Sequence, residues 1–212
     1  MKRTILVSVL LLFLGAGLFC QSVKLSVMDI KPWGMKTGGQ TGIYVELADI
    51  LAKEAGLTPE IVVVPYKRNV LDMESGASVF CFMTENPEIV KVAKNVGVLK
   101  KLEIIVMGNK GFSMSKLSDL EGKTIGTLLG VLNYPAFDDN PKIKKNPVEG
   151  PEQQIKMLQL KRMDAIQGVR EATLYAKRKL EKETGTSYDF SAPFIISTVD
   201  AQLWISNKSY TK

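Results

Sequence analysis

The chain has 212 residues, with 28 lysines and arginines against 22 acids and no histidine. The missing histidine excludes Ser-His-Asp and Cys-His nucleophilic sites and removes the commonest transition-metal ligand. Cys20 and Cys81 form no CxxC pattern, which excludes a dithiol redox site and a zinc knuckle.

Lys2 and Arg3 precede an uncharged run from Ile5 to Phe19. A basic start and an apolar stretch too short to span a bilayer read as a secretory signal over residues 1–22, cut after Ser22. The alternative, a retained anchor, has no second span beside it. A lipid on Cys20 would require a small residue where Phe19 stands. The mature chain is expected to be a soluble monomer starting at Val23. Its basic residues are scattered apart from Lys142-Ile143-Lys144-Lys145, which reads as a solvated face and not as a nucleic-acid site. Cys81, in Val79-Phe80-Cys81-Phe82-Met83, reads as a buried, inert thiol.

In chain order, Val23 to Met28 alternates as a strand, and Asp29 to Gln40 is a loop or tight hairpin. Thr41 to Ala55 reads as a helix with Ile43, Leu47, Ile50 and Leu51 on its apolar face and Gly56 as its stop. Glu60 to Val64 is a strand ended by Pro65, and Tyr66 to Ser75 is a helix ended by Gly76. Val79 to Met83 is a strand, Pro87 begins a short turn, and Val96 to Leu99 and Leu102 to Met107 are two further strands. The order β-α-β-α-β with short links predicts a parallel sheet covered by helices.

A second unit follows. Leu117 to Gly122 reads as a short turn with Ser118 as N-cap, Lys123 to Leu128 as a buried strand, and Gly130 as the opening of a helix from about Val131. Such a strand–Gly–helix turn presents backbone N–H groups to an anion, or serves packing alone. Asn133 to Asn146 is irregular, and Pro151 to Lys161 is a helix with Ile155 and Leu158 inward. Asp164 to Gly168 is a strand and Arg170 to Leu180 a helix with Ala172, Tyr175, Ala176 and Leu180 inward. Pro193 to Ser206 holds strands on either side of Asp200.

Five segments, in this order, resemble the extracytoplasmic solute-binding proteins of ABC importers, in the group that holds polar amino-acid binders. They are Gly42-Ile43-Tyr44-Val45-Glu46-Leu47-Ala48, Leu71-Asp72-Met73-Glu74-Ser75-Gly76, and Met83-Thr84 with Pro87-Glu88. Leu117 to Gly122 with Ile125-Gly126 is the fourth, and Leu160-Lys161-Arg162-Met163-Asp164-Ala165 the last. The resemblance implies an α/β, two-lobed type II periplasmic-binding-protein fold, each lobe a mainly parallel sheet flanked by helices, with two crossover strands and hinge closure on a ligand. Lobe 1 would be residues 23–106 plus 196–212, and lobe 2 residues 107–195, with crossings near 104–108 and 196–201. The cleft would lie at the C-terminal ends of the strands.

This sequence departs from that family at three places. Ile89 stands where amino-acid binders carry the arginine that grips the α-carboxylate, and Val169 where they carry the aspartate for the α-ammonium. Residues 204–212 end where the family usually continues into a final helix. An ordinary α-amino acid is therefore not the expected ligand.

The expected function is capture of a small polar, anionic or amino-acid-like solute for an ABC permease of the inner membrane, in the periplasm, with no cofactor, metal or catalytic residue. The alternatives are a sensor or accessory binder without a permease, and an enzyme of the dehydratase or lyase-associated kind on the same frame. Expected ligand contacts are Trp33, Tyr66, Arg68, Phe82, Thr84, Gly130, Val131 and Arg170. For Trp33 the other reading is a core cover, for Arg68 a surface pair with Glu85 or Glu88, and for Arg170 a surface salt bridge.

Overall fold

The computed structural model describes residues 22–36, 38–131 and 134–210, so the expected signal segment and Cys20 lie outside the described residues, Ser22 excepted. No described helix is long and apolar enough to cross a membrane. In chain order the first lobe contains β1 (Ser22–Met28), α1 (Ile43–Glu54), β2 (Thr58–Val64), α2 (Tyr66–Ser75), β3 (Phe80–Thr84) and the single turn α3 (Ile89–Val92). β4 (Ala93–Gly108) then leads into the second lobe. There follow a 3-10 turn at Leu117–Leu120, β5 (Thr124–Leu128), α4 (Pro135–Asp138), β6 (Lys144–Val148), α5 (Pro151–Gln159), β7 (Ala165–Val169) and α6 (Arg170–Thr184). The chain returns through β8 (Phe194–Ser206) and ends its described part in α7 (Asn207–Tyr210).

The strands form one hydrogen-bonded series, β2-β1-β3-β8-β4-β7-β5-β6. β1 pairs in parallel with β2 and β3, and β5 in parallel with β6 and β7, as short crossovers through helices require. β4 and β8 run antiparallel to each other along their whole length. β3 pairs with β8 at 201–205 and β7 with β4 at 104–108, so the two long strands are shared by both lobes. The result is the expected two-lobed α/β architecture.

The lobes have separate cores. One surrounds β1 and β3 and includes Met73, Cys81, Phe82, Ile89 and Trp204. The second lobe buries Ile155, Leu158 and Ile166 on one face of its sheet, and Ile125, Phe137 and Ala165 on the other. Cys81 is fully buried, and that burial pushes its thiol pKa up.

Several local expectations are corrected. The stretches 96–99 and 102–107 are one strand, because pairing with β8 continues through register shifts at 95/97 and 98/100. The strands around Asp200 likewise merge into β8. The irregular stretch after Gly130 contains α4 and β6. Pro147 is tolerated in β6 because that strand is the sheet edge and needs no second ladder. The helix expected from Val131 starts only at Pro135 and is a single turn. The turn at Leu117 is capped at Lys116, where Asp119 accepts backbone N–H bonds from Ser115 and Lys116. Those two bonds hold its carboxyl below the usual range.

The buried face of α1 is Tyr44, Ala48 and Ala52, while Ile43 and Ile50 are exposed. The entry of the helix sets that rotation. Ile43 N–H donates to the Pro32 carbonyl and Tyr44 N–H to the Trp33 carbonyl. Gly42, at φ 132°, lies where a Cβ would come within 2.5 Å of the Trp33 carbonyl oxygen.

Candidate ligand-binding cleft

Two inner strands of each lobe, parallel within a lobe and opposed between the lobes, end on a common crevice: Met28 closes β1, Thr84 β3, Leu128 β5 and Val169 β7. This is where open α/β sheets place ligands. The crevice is nearly closed, with a cavity of about 40 Å³, well below the usual volume of a small-molecule site, so a solute has room only once the lobes part. Ile30, Trp33, Tyr44, Tyr66 and Leu102 complete the wall on the first-lobe side. Val131, Pro151, Gly168, Ala172 and Thr173 complete it on the second. These described wall residues include no aspartate, glutamate, lysine or arginine, but past Ile30, Tyr66, Leu128 and Val131 the crevice widens to about 450 Å³ between Asp29, Lys67 and Glu149.

The aromatic wall is built from the loop after β1. The backbone bonds that start α1 also hold Trp33, whose ring stacks on Tyr44 at 4.9 Å. Phe82 lies behind Tyr44 at 5.0 Å. Burial raises the Tyr44 phenol pKa, and the negative charge of Glu171 raises it further. Tyr66 stands in the first turn of α2. Asn86 fixes it: its Oδ1 accepts the N–H bonds of Glu88 and Ile89, both 2.9 Å, so its amide nitrogen must face the Tyr66 hydroxyl, at 3.1 Å. Burial pushes the Tyr66 phenol pKa up to about 12, against lowering by its bonds with Thr84 and Asn86. All these phenols stay neutral at physiological pH.

On the opposite side, α5 and α6 both start at the wall with no side-chain cap. Pro151 occupies the first turn of α5, and Val169 is the N-cap residue of α6. The first N–H groups of a helix have no partner within it and carry partial positive charge. The lobes touch at the mouth. Lys31 and Glu152 form an ion pair at 3.2 Å, and Lys179 reaches the same carboxylate oxygen at 3.3 Å. Val131 packs against the first-lobe core. Burial raises the Glu152 pKa, but its own backbone N–H, Lys31 and Lys179 outweigh that and hold the carboxyl below its ordinary value.

Of the expected contacts, Trp33, Tyr66, Thr84 and Val131 line the cleft. Phe82 does not; it is fully buried in the first-lobe core. Arg68 points along α2 to Asp72, at 2.6 Å, its side chain 61% exposed, and Glu85 and Glu88 are not its partners. Arg170 pairs with Glu103 on β4 at 2.5 Å, outside the wall. Gly130 has φ 76° and lies under the Lys67 side chain in a turn that starts no helix, so the anion cradle expected there is not formed. Ile89 has no exposed surface, and Val169 does line the cleft. Sequence reasoning missed Tyr44, Thr173, Gly168 and Pro151. Pro151 at a helix start after a strand was the one usable signal.

No family model matches the chain. A curated relative, the arginine-binding extracellular protein ArtP of Bacillus subtilis (strain 168), is 32% identical over 105 residues. Those residues are 48% of this chain and 41% of the relative, so the chain spans less than half the length of the curated relative it matches. Among solved structures, arginine-bound ArgBP from T. maritima (a Gly52Ala mutant) superposes with a TM-score of 0.72 at 16% identity, over 90% of each chain. A histidine kinase sensor domain with similarity to periplasmic binding proteins superposes with a TM-score of 0.75 at 12% identity, over 90% of this chain and 84% of that one. At such identities the structures establish the fold. With the partial sequence match, they bear out the resemblance to amino-acid-binding solute-binding proteins.

Proposed function

We propose that this chain, built on the two-lobed frame of the periplasmic binding proteins, is an extracytoplasmic solute-binding protein that closes on a small solute between its lobes. The observation that carries this is the cleft itself: a wall shared by both lobes, at the C-terminal ends of two strands from each, rich in aromatic and aliphatic side chains. The solute this wall fits has an apolar body, packed on Trp33, Tyr66 and Val131, and one polar end at the start of α6. An anionic solute was expected from Arg68 and Arg170; both are paired elsewhere and offer it no support.

The lobe limits we assign are residues 23–106 with 196–212, and 107–195, in keeping with the attachment of β3 to β8 and of β7 to β4. Export by the N-terminal segment and delivery to an ABC permease complete this reading. It assigns no catalytic step: the described residues of the inner wall include no acid or lysine for proton transfer.

Because Ile89 is buried and Val169 is apolar, glutamine, histidine and arginine should bind weakly or not at all. A buried α-carboxylate or α-ammonium would lack a charged partner. A thermal-shift screen over amino acids, neutral amides, carboxylates, polyamines and sugars tests the reading, since a ligand selective for the folded chain raises Tm. Compact solutes with an apolar body should stand out. Submicromolar calorimetric affinity for arginine or glutamine would overturn it.

A further inference from the structure

Two successive residues at the start of α6 grip β4 with alternating charge. Glu171 pairs with Lys100 at 2.6 Å, and Arg170 pairs with Glu103 at 2.5 Å. The two pairs stand differently toward the crossing between the lobes. Lys100 lies opposite Ala201 of β8, and Ala201 opposite Thr84 of β3, so Lys100 belongs to the sheet of the first lobe. Glu103 adjoins Ile104, the first β4 residue paired with β7, and its partner Arg170 adjoins Val169, opposite Ile104. The β4–β8 register also slips between Ile104 and Ile105, where β8 carries the extra residue Ile196. A bulge of this kind lets a ribbon bend.

When the lobes rotate about that point, a pair beside it keeps its length. Lys100 is three residues away, about 10 Å along the strand, and must separate from Glu171. The pair is built to be broken. Its carboxylate is engaged through one oxygen, while Glu171 Oε2 is buried with no partner among the described residues and works against the contact. Lys100 Nζ also lies 6.0 Å from the centre of the Trp33 ring, so the pair adjoins the aromatic wall.

We propose that Lys100–Glu171 and Lys31–Glu152 form a two-point latch, one beside the crossing strands and one at the mouth, with Arg170–Glu103 as its pivot. This rests on the reading above that the lobes close on a solute, and it acts whichever solute the cleft takes. Because the crevice is nearly closed, a solute enters only when the latch gives way. The two points are unequal. On opening, Glu152 keeps Lys179 of its own lobe, whereas Glu171 has no second cation among the described residues. Loss of the Lys100 contact is therefore the less compensated of the two.

Pulsed electron resonance between nitroxide labels on Glu46→Cys in α1 and Arg178→Cys in α6, both exposed positions, reads the lobe separation in the mature chain. Cys81 is fully buried and takes no label. Lys100→Met should raise the long-distance fraction by about twofold to fivefold, the scale of a half-exposed ion pair, and Arg170→Met should leave it unchanged. Added salt should lengthen the distance in the wild type and less so in Lys100→Met. An unchanged distribution in Lys100→Met while Lys31→Met opens the lobes, or equal opening by Arg170→Met and Lys100→Met, would overturn the latch alone. If even Lys31→Met combined with Lys100→Met leaves the distance unchanged, the reading of lobe closure falls with it.

Discussion

At the scale of single residues, charge pairing decides which expected contacts reach the cleft. Arg68 and Arg170 each have a carboxylate within 2.6 Å on a neighbouring turn or strand, and a long flexible cation settles on the nearest such partner. Arg68→Ala should leave affinity for the best screened solute unchanged within about twofold, because a group outside the wall contributes no contact that the solute loses. It should cost about 1 kcal/mol of stability, since Asp72 is almost buried and keeps no cation. Chemical denaturation beside calorimetry reads both effects. Tyr66→Phe behaves oppositely. It removes the shorter of the two bonds of the Asn86 amide nitrogen, leaving that to the Thr84 carbonyl, and should cost about 1 kcal/mol, besides altering solute affinity. Transplanting the family's arginine at Ile89 should not create a carboxylate site. That position is sealed in the core, so Ile89→Arg should lower stability by roughly 3–5 kcal/mol, the cost of an uncompensated buried charge, and a far lower melting temperature would show it.

Among the elements, the entry into α1 carries the most weight for the site. The loop after β1 lends two carbonyls to the helix start, and the same loop presents Trp33 to Tyr44. Gly42→Ala would place a methyl 2.5 Å from the Trp33 carbonyl oxygen in a backbone conformation that alanine adopts poorly. The expected cost is about 2–4 kcal/mol, of the order of other strained backbone substitutions. Because the strain falls on the Trp33 loop, solute affinity should fall as well, beyond any loss of folded protein. Preserved affinity in the folded fraction would separate the loop from the site. The segmental reading succeeded for elements that bury a full face, such as α2, whose limits match at both ends. It failed for β6, Lys144–Val148, where a proline and exposed lysines conceal an edge strand whose pairing comes from β5 alone. For α1 the face was half right: Leu47 and Leu51 pack against the first-lobe core as expected, whereas Ile43 and Ile50 do not. Ile43 and Ile50 match an apolar periodicity, but the contacts at Pro32 and Trp33 rotate the helix so that Tyr44, Ala48 and Ala52 face inward.

For the whole molecule, the ion pair of Lys31 with Glu152 joins the lobes at the mouth of the cleft, with Lys179 on the same oxygen. The folded-state pKa of Glu152 lies below its ordinary value of 4.5. Its contribution is therefore fully present above that ordinary value and is lost as the pH falls through the lower folded one. Melting followed from pH 7 downward should show a loss of stability in the acid range that is smaller in Glu152→Gln. The substitution should also weaken solute binding and its sensitivity to salt, since an exposed pair is screened. Parallel curves for the two proteins would remove this pair from closure.

The two α/β units, the elements of the first lobe as far as β3, and the absence of histidine chemistry were legible in the residues. Hydrophobic periodicity and glycine stops are local properties of the chain, and local interactions suffice to impose them. The lack of a charged side chain at Ile89 and Val169 was legible for the same reason: a side chain's chemistry does not depend on its neighbours. Where each side chain points was decided by tertiary structure. Arg68 and Arg170 were drawn to Asp72 and Glu103, Phe82 was covered by Tyr44, and Gln154 was turned by two carbonyls from different strands. Arg68 found its partner one helical turn away, but Gln154 and Arg170 found theirs 28 and 67 positions away, contacts that sequence distance does not rank.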